Sequence, residues 1–161
     1  MAVHKLMNWE MEDEGFLLIA IHSSIEPYRM AYMINKHLGL GFSRMDRDQD
    51  IISPTYEAHY PVYAYFDKEL NAPYYLVPNK YWGNLKQQGP AIGLFHDGDH
   101  QIKTVLIKEY QTVDYLLKIE REEAFFPLKK TLNSISGIPQ VISAYAIDSY
   151  TIKQQDYLIF E

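Results

Sequence analysis

The stretch that most constrains this chain runs from Ile107 to Ile119. Its second half alternates: Val113, Tyr115, Leu117 and Ile119 fall on one side, Asp114, Leu116 and Lys118 on the other. A period of two predicts a strand, here with one strongly apolar face. A helical pattern and another apolar strand follow. An earlier segment repeats the same strand–helix–strand order. The spacing therefore predicts a central strand to which both halves of the chain attach.

The earlier half opens with a short edge strand over His4 to Trp9, then the acidic turn Glu10 to Gly15. Phe16 to His22 is a continuous run of β formers, as in a strand buried on both faces. Ser23 and Glu26 have the spacing of a capping box, and Pro27 suits a first helical turn. Tyr28, Ala31, Ile34, Asn35 and Leu38 follow at helical spacing, with Met30 and Met33 beside them. Gly39 and Gly41 stop the helix.

Phe42 to Met45 starts a second strand, interrupted by Asp46 to Asp50. Alternation resumes from Tyr56 to Phe66, where Pro61 demands an edge or a bulge. Tyr74 to Val77 is its hairpin partner. Asn79 to Gly98, broken by glycines, is the least regular stretch, and Thr104 to Ile107 is a short strand. A second helix spans Glu122 to Ser134, with Phe125, Leu128, Leu132 and Ile135 on one face and its regular part starting near Phe126. Val141 to Ile147 is the last long strand, and Asp148 and Ser149 can cap a final turn.

This order predicts an α+β fold of one domain over residues 1–161. Its plan is an elaborated split βαβ, ferredoxin-like sandwich, a mostly antiparallel sheet with two helices on one face. At 161 residues, 47% hydrophobic and 22% charged, the chain can bury a core without staples. It has no cysteine, which removes disulfides, thiolate metal sites and cysteine nucleophiles and fits a reducing, cytoplasmic setting. A net charge of −6 disfavours nucleic acid. The longest apolar run, Phe16 to Ile21, falls far short of the ~20 residues of a membrane span.

Residues Ile107, Glu109, Val113, Asp114 and Tyr115 resemble the signature of the IPExxxVDY family of Bacteroidota, with Lys108 in place of its proline. The Tyr28-Arg29 and Asn35-Lys36 helix and the closing Leu158-Ile159-Phe160 are similar too. The family has no established activity, so the resemblance implies relationship and compartment and no chemistry.

Several groups of residues invite a chemical reading. His96-Asp97-Gly98-Asp99-His100 places metal-ligating types close together, but Asp-Gly is a strong turn dipeptide and a solvated hairpin turn is preferred. Asp46, Asp48, Asp50 and Glu57 partly match an EF-hand loop, with Ile51 where glycine is needed and Pro54 inside it, so a polar loop is preferred. Asp114 and Glu109 are conceivable general acid–base groups, and His22 and His59 read as structural histidines. Tyr74, Tyr75, Tyr81 and Trp82 can line a pocket or a partner surface, though packing is preferred. Gly89 to Gly93 is too sparse a glycine loop to cradle phosphate, and no nucleophile elbow or P-loop is present.

No residue is thus assigned to catalysis, to a cofactor or to a metal. The reading is a non-catalytic binding or interaction module. The alternatives are a small-molecule-sensing domain of ACT-like class, by fold analogy alone, and a metal-dependent enzyme using His96, Asp99 and His100. The strand over Tyr56 to Tyr65 is apolar on both sides. That predicts a homodimer through a sheet surface or edge with tyrosines at its centre, or burial of the face by residues 79–98 through Trp82 and Phe95.

Overall fold

The computed structural model of the protein describes residues 15–86 and 100–161. In chain order the strands are β1 (Leu17–Ser23), β2 (Ser43–Arg44), β3 (Gln49–Ile52), β4 (Tyr56–Tyr60) and β5 (Tyr63–Asp67). They continue with β6 (Ala72–Pro78), β7 (Lys80–Leu85), β8 (Gln101–Val105), β9 (Tyr115–Ile119) and β10 (Val141–Ile147). Helix α1 (Pro27–Leu38) follows β1, and α2 (Leu128–Ser136) lies between β9 and β10. The class is α+β, and every strand pair is antiparallel.

A six-stranded sheet runs β10-β1-β9-β6-β5-β2, and a four-stranded sheet runs β3-β4-β7-β8. The two are pieces of one ribbon. The chain leaves the small sheet at β4 and enters the large one at β5, through Pro61 and Val62. It passes back from β6 to β7 at Asn79, and returns from β8 to β9 through residues 106–114. Strands that switch sheets at a bend are how two layers share a corner. Pro61 suits the bend because it cannot donate to either ladder.

Each face of the large sheet has its own core. Leu17, Ile19, Ile21, Leu76, Tyr115, Leu117 and Ile119 face the helices and pack with Met30, Ala31, Ile34 and Ile135. Leu18, Ala20, Val77 and Leu116 face the small sheet and pack with Ala58, Tyr60, Ile152, Leu158 and Phe160. Strand β9 is buried along its whole length, Lys118 included. The Lys118 ammonium donates to the Leu158 carbonyl at 2.8 Å and to Glu120 Oε1 at 3.1 Å, and lies 4.8 Å from the Phe16 ring centroid. These contacts are what let a charge sit there, and they tie the C-terminal segment across the sheet.

The fold corrects several expectations. The central strand is central, but it is only Tyr115–Ile119 long, and Lys108–Tyr110 is a 3-10 turn. Val113 precedes the strand and packs in the small-sheet core, on the side opposite Tyr115. The expected strand over Tyr56 to Phe66 is two strands in two sheets. Strand β7 arises within the stretch read as irregular.

The capping box does not form. Pro27 sets the helix start so that Glu26 is the N-cap, while Ser23 Oγ donates to the Gln140 carbonyl at 2.7 Å. Tyr28 and Phe125 are exposed, not on buried faces. Helix α2 starts at Leu128, after Pro127. The expected end of α1 holds: Gly39 closes it in the left-handed region, at φ 67°. Asp148 likewise caps a 3-10 turn by accepting from Tyr150 N–H at 2.9 Å. The apolar Tyr56–Tyr60 face is covered inside one chain, by the sandwich itself. Trp82 takes no part in that cover and is 57% exposed. His4 to Trp9 and Phe95 lie outside the described residues. No helix among the described residues is long and apolar enough to cross a membrane.

Candidate functional site

The C-terminal end of β1 meets the start of β9, and Lys80 at the start of β7 reaches Asp114 beside them. Asn79, at the β6–β7 bend, is wholly buried. Its side-chain amide donates to the carbonyls of Tyr110 at 2.8 Å and Val113 at 3.0 Å, and its side-chain oxygen accepts from Ile107 N–H at 2.9 Å. Its backbone N–H donates to Asp114 O at 2.8 Å, and its carbonyl accepts from Leu106 N–H at 2.8 Å. Every polar group of one residue is spent on fixing the 106–114 crossing, as a buried amide requires.

That crossing delivers Asp114 and Tyr115 to the junction. Asp114 Oδ2 accepts from Ser23 N–H at 2.9 Å, and Oδ1 is 3.2 Å from Lys80 Nζ. Lys80 Nζ also donates to Thr112 O at 3.1 Å. The Tyr115 hydroxyl donates to the Ile25 carbonyl. Burial, with the Asp114 charge adding to it, raises the Tyr115 pKa, so the phenol stays protonated and keeps donating.

Over this floor lies a groove of about 580 Å³, within the usual size of small-molecule sites. One wall is the β1–α1 turn with Ser24, Glu26 and Tyr28; the other is Tyr81, Trp82 and Lys103; Ile142 stands at one end. Trp82 is 57% and Tyr28 62% exposed. Trp82 and Lys103 are directly opposite each other in the β7–β8 register, so the indole and the ammonium share one face. The groove offers aromatic surface and a cation above a rigid floor.

The other candidates of the sequence are dispersed. Glu109 accepts from Lys153 N–H at 3.3 Å and borders a different cleft, of about 400 Å³, with Ile107 and Tyr157. His22 Nε2 is 2.8 Å from the Tyr145 hydroxyl, and the two rings stack at 5.5 Å. His59 Nδ1 is 2.6 Å from Asp50 Oδ1, and this contact raises the His59 pKa. Asp48 pairs with Arg44, and Gln49–Ile52 is a strand, so the aspartates of the partial EF-hand pattern serve different partners.

Among the described residues no group of three or more His, Cys, Asp or Glu could hold a metal ion. His96, Asp97, Gly98 and Asp99, like Gly89 to Gly93, lie outside the described residues. His100 accepts from Leu85 N–H through its carbonyl at 2.6 Å. Of the four aromatics, Tyr81 and Trp82 line the groove. Tyr74 packs in the helix-side core, and Tyr75 packs on Phe160 at 5.2 Å.

Sequence reasoning singled out Asp114 and Tyr115 but missed Tyr28, Lys80 and Lys103. The one local signal for the last two is a lysine two residues before Trp82 and a lysine in the next strand. Their pairing depends on the register. No family model, curated protein or solved structure matches the chain.

Proposed function

We propose that the chain is a binding module whose ligand face is the groove between the β1–α1 turn and β7–β8. The carrying observation is a division of labour. Asp114, Lys80, Ser23 and the Tyr115 hydroxyl are committed to one another and to backbone groups, which makes them scaffold. Trp82, Tyr28 and Lys103 are exposed along the groove and present their surfaces to a ligand. The ligand chemistry that fits is a flat aromatic body stacked on Trp82 with an anionic end at Lys103.

Trp9 and Trp82 are the chain's two tryptophans, so Trp82 can be isolated in a Trp9→Phe background. A panel of small aromatic carboxylates should give saturable quenching of Trp82 fluorescence. The quenching should weaken in Lys103→Ala. If no member of the panel quenches saturably, the reading fails.

We further read the large sheet as an elaboration of the ferredoxin-like split βαβ. Its support is the order β10-β1-β9-β6, all antiparallel, with α1 leaving β1 and α2 joining β9 to β10 on one face. That plan is also what supports an ACT-like sensing role, in which groove occupancy is reported to a partner. Membership of the IPExxxVDY family is supported by the joint use of its matching residues. Ile107 bonds to Asn79, Val113 fills the core, Asp114 ties Ser23 to Lys80, and Tyr115 holds Ile25. A cytoplasmic setting rests on the absence of cysteine.

A further inference from the structure

The outer edge of the six-stranded sheet is β10, which pairs only with β1 among the described residues. Short length and charge are the usual protections of an edge. The other described edges have them. β2 is two residues long and ends in Arg44, β3 contains Asp50, and β8 contains Lys103. β10 has seven residues, Val-Ile-Ser-Ala-Tyr-Ala-Ile, with no charge and no proline.

The direction of its backbone groups follows from the neighbouring ladder. Asp114 N–H donates to Ile21 O at 3.1 Å, so Ile21 turns its polar groups toward β9. Alternation then turns those of Ala20 and His22 toward β10. The register sets Ala20 opposite Tyr145 and His22 opposite Ser143. Tyr145 and Ser143 therefore spend their backbone groups on β1, and Ala144 and Ala146 aim theirs outward. A bulge between His22 and Ser23 displaces Ile142, which is 80% exposed. The regular stretch left is Ser143 to Ile147, centred on Tyr145.

We propose that β10 pairs antiparallel with β10 of a second copy about a two-fold axis at Tyr145. Ala144 and Ala146 of one copy exchange N–H···O bonds with Ala146 and Ala144 of the other. A second copy fits because a strand's outward donors and acceptors complement themselves about a two-fold axis, and the Ala144-Tyr145-Ala146 order sets alanine opposite alanine there. Alanine on both sides of the axis leaves no bulk to clash on the helix face. Tyr145, 40% exposed, faces its own counterpart in a non-hydrogen-bonded pair, where side chains approach closely. The strand itself brings no charge to the axis. Closed two-fold pairing also removes the edge from further growth. The pairing goes beyond the groove reading and does not depend on it.

Sedimentation velocity of the full chain over a dilution series, with amide hydrogen exchange on the same samples, tests this. The expected result is a dimer that dissociates on dilution, with protection of the Ala144 and Ala146 amides rising and falling with dimer fraction. Ala144→Pro removes an outward donor without touching the β1 ladder, and Tyr145→Lys places like charges at the axis. Each should raise the dimer dissociation constant roughly tenfold or more with far-ultraviolet circular dichroism unchanged. A monomer at every concentration overturns the proposal. Slow exchange at the two amides would then assign the edge to residues 1–14 of the same chain, and fast exchange would leave it open. A wild-type dimer whose Ala144 and Ala146 amides exchange freely overturns it too, whether or not the variants fold.

Discussion

The side-chain oxygen of Asn79 accepts the backbone N–H of Ile107 at 2.9 Å, joining a strand bend to a crossing 28 positions away. Both partners are buried, so water cannot substitute for either. Asn79→Ala leaves the Ile107 amide and the Tyr110 and Val113 carbonyls without partners. The expected cost is about 2–4 kcal/mol, from one to a few unsatisfied groups. Urea unfolding of the variant against the parent measures it. Asn79→Asp should be no milder, because a carboxylate cannot donate to the two carbonyls.

Gly83 is where sequence punctuation misleads. It sits inside β7, opposite Ala58 on one side and Ile102 on the other. A Cβ there would lie 2.8 Å from Thr104 Cγ2 and 3.0 Å from the Glu57 carbonyl. Gly83→Ala should therefore destabilise by about 1–3 kcal/mol, the usual cost of overpacking, despite the gain in strand propensity. Thermal unfolding reads the sign. A more stable variant would show that β4, β7 and β8 have room for the added methyl group.

Val113 is 1% exposed in the core between the sheets, together with Leu106, Ile107 and Leu158. Val113→Asp should cost about 3–5 kcal/mol or unfold the chain, since an unpaired carboxylate is buried. The milder Val113→Ala locates the contact. Its chemical-shift changes should reach Ile152 and Leu158 and leave Ile135 of α2 unmoved.

Alkaline pH is expected to act through tyrosine. Burial pushes the Tyr60 phenol up to about 12, although its hydroxyl contacts Thr104 Oγ1 at 2.6 Å. Tyr74 and Tyr115 are raised as well, both chiefly by burial. An unfolded tyrosine loses its proton near ~10. Above that pH the unfolded chain binds fewer protons than the folded one. The stabilisation is thus whole below ~10 and is lost as pH rises toward 12. Phenolate absorbance should rise in two stages, the second, from the buried group, together with loss of the fold.

What the sequence disclosed follows from where the information sits. The unbroken apolar run of β1, the Gly39 stop and the span of β10 are local, and reading along the chain finds them. Pro61 was legible as a defect in a strand. That the defect divides two sheets was not, because strand alternation looks the same whichever sheet a strand joins. Val113 and Tyr115 share a parity, yet Val113 precedes the strand and packs on the opposite side, so the alternation does not carry across Asp114. Ser23 and Glu26 have cap spacing, and Pro27 overrides it. Asp114 and Tyr115 stood out as part of one stretch. Tyr28, Lys80 and Lys103 reach the groove from three separate segments, so their relation exists only once β7 and β8 are in register.

Strand β1 is apolar on both faces, and both of its neighbours, β9 and β10, come from the far end of the chain. During synthesis it emerges before either partner and waits. At ribosomal rates of ~5–20 residues per second, the more than ninety residues between Ser23 and Tyr115 correspond to roughly 5–20 s with neither edge of β1 paired. Strand β1 is thus closed by partners from far downstream in the chain, and long-range pairing of that kind slows folding. A nascent chain halted before Tyr115 should expose β1 to any chaperone that grips extended apolar segments, and release it only when β9 and β10 have left the ribosome.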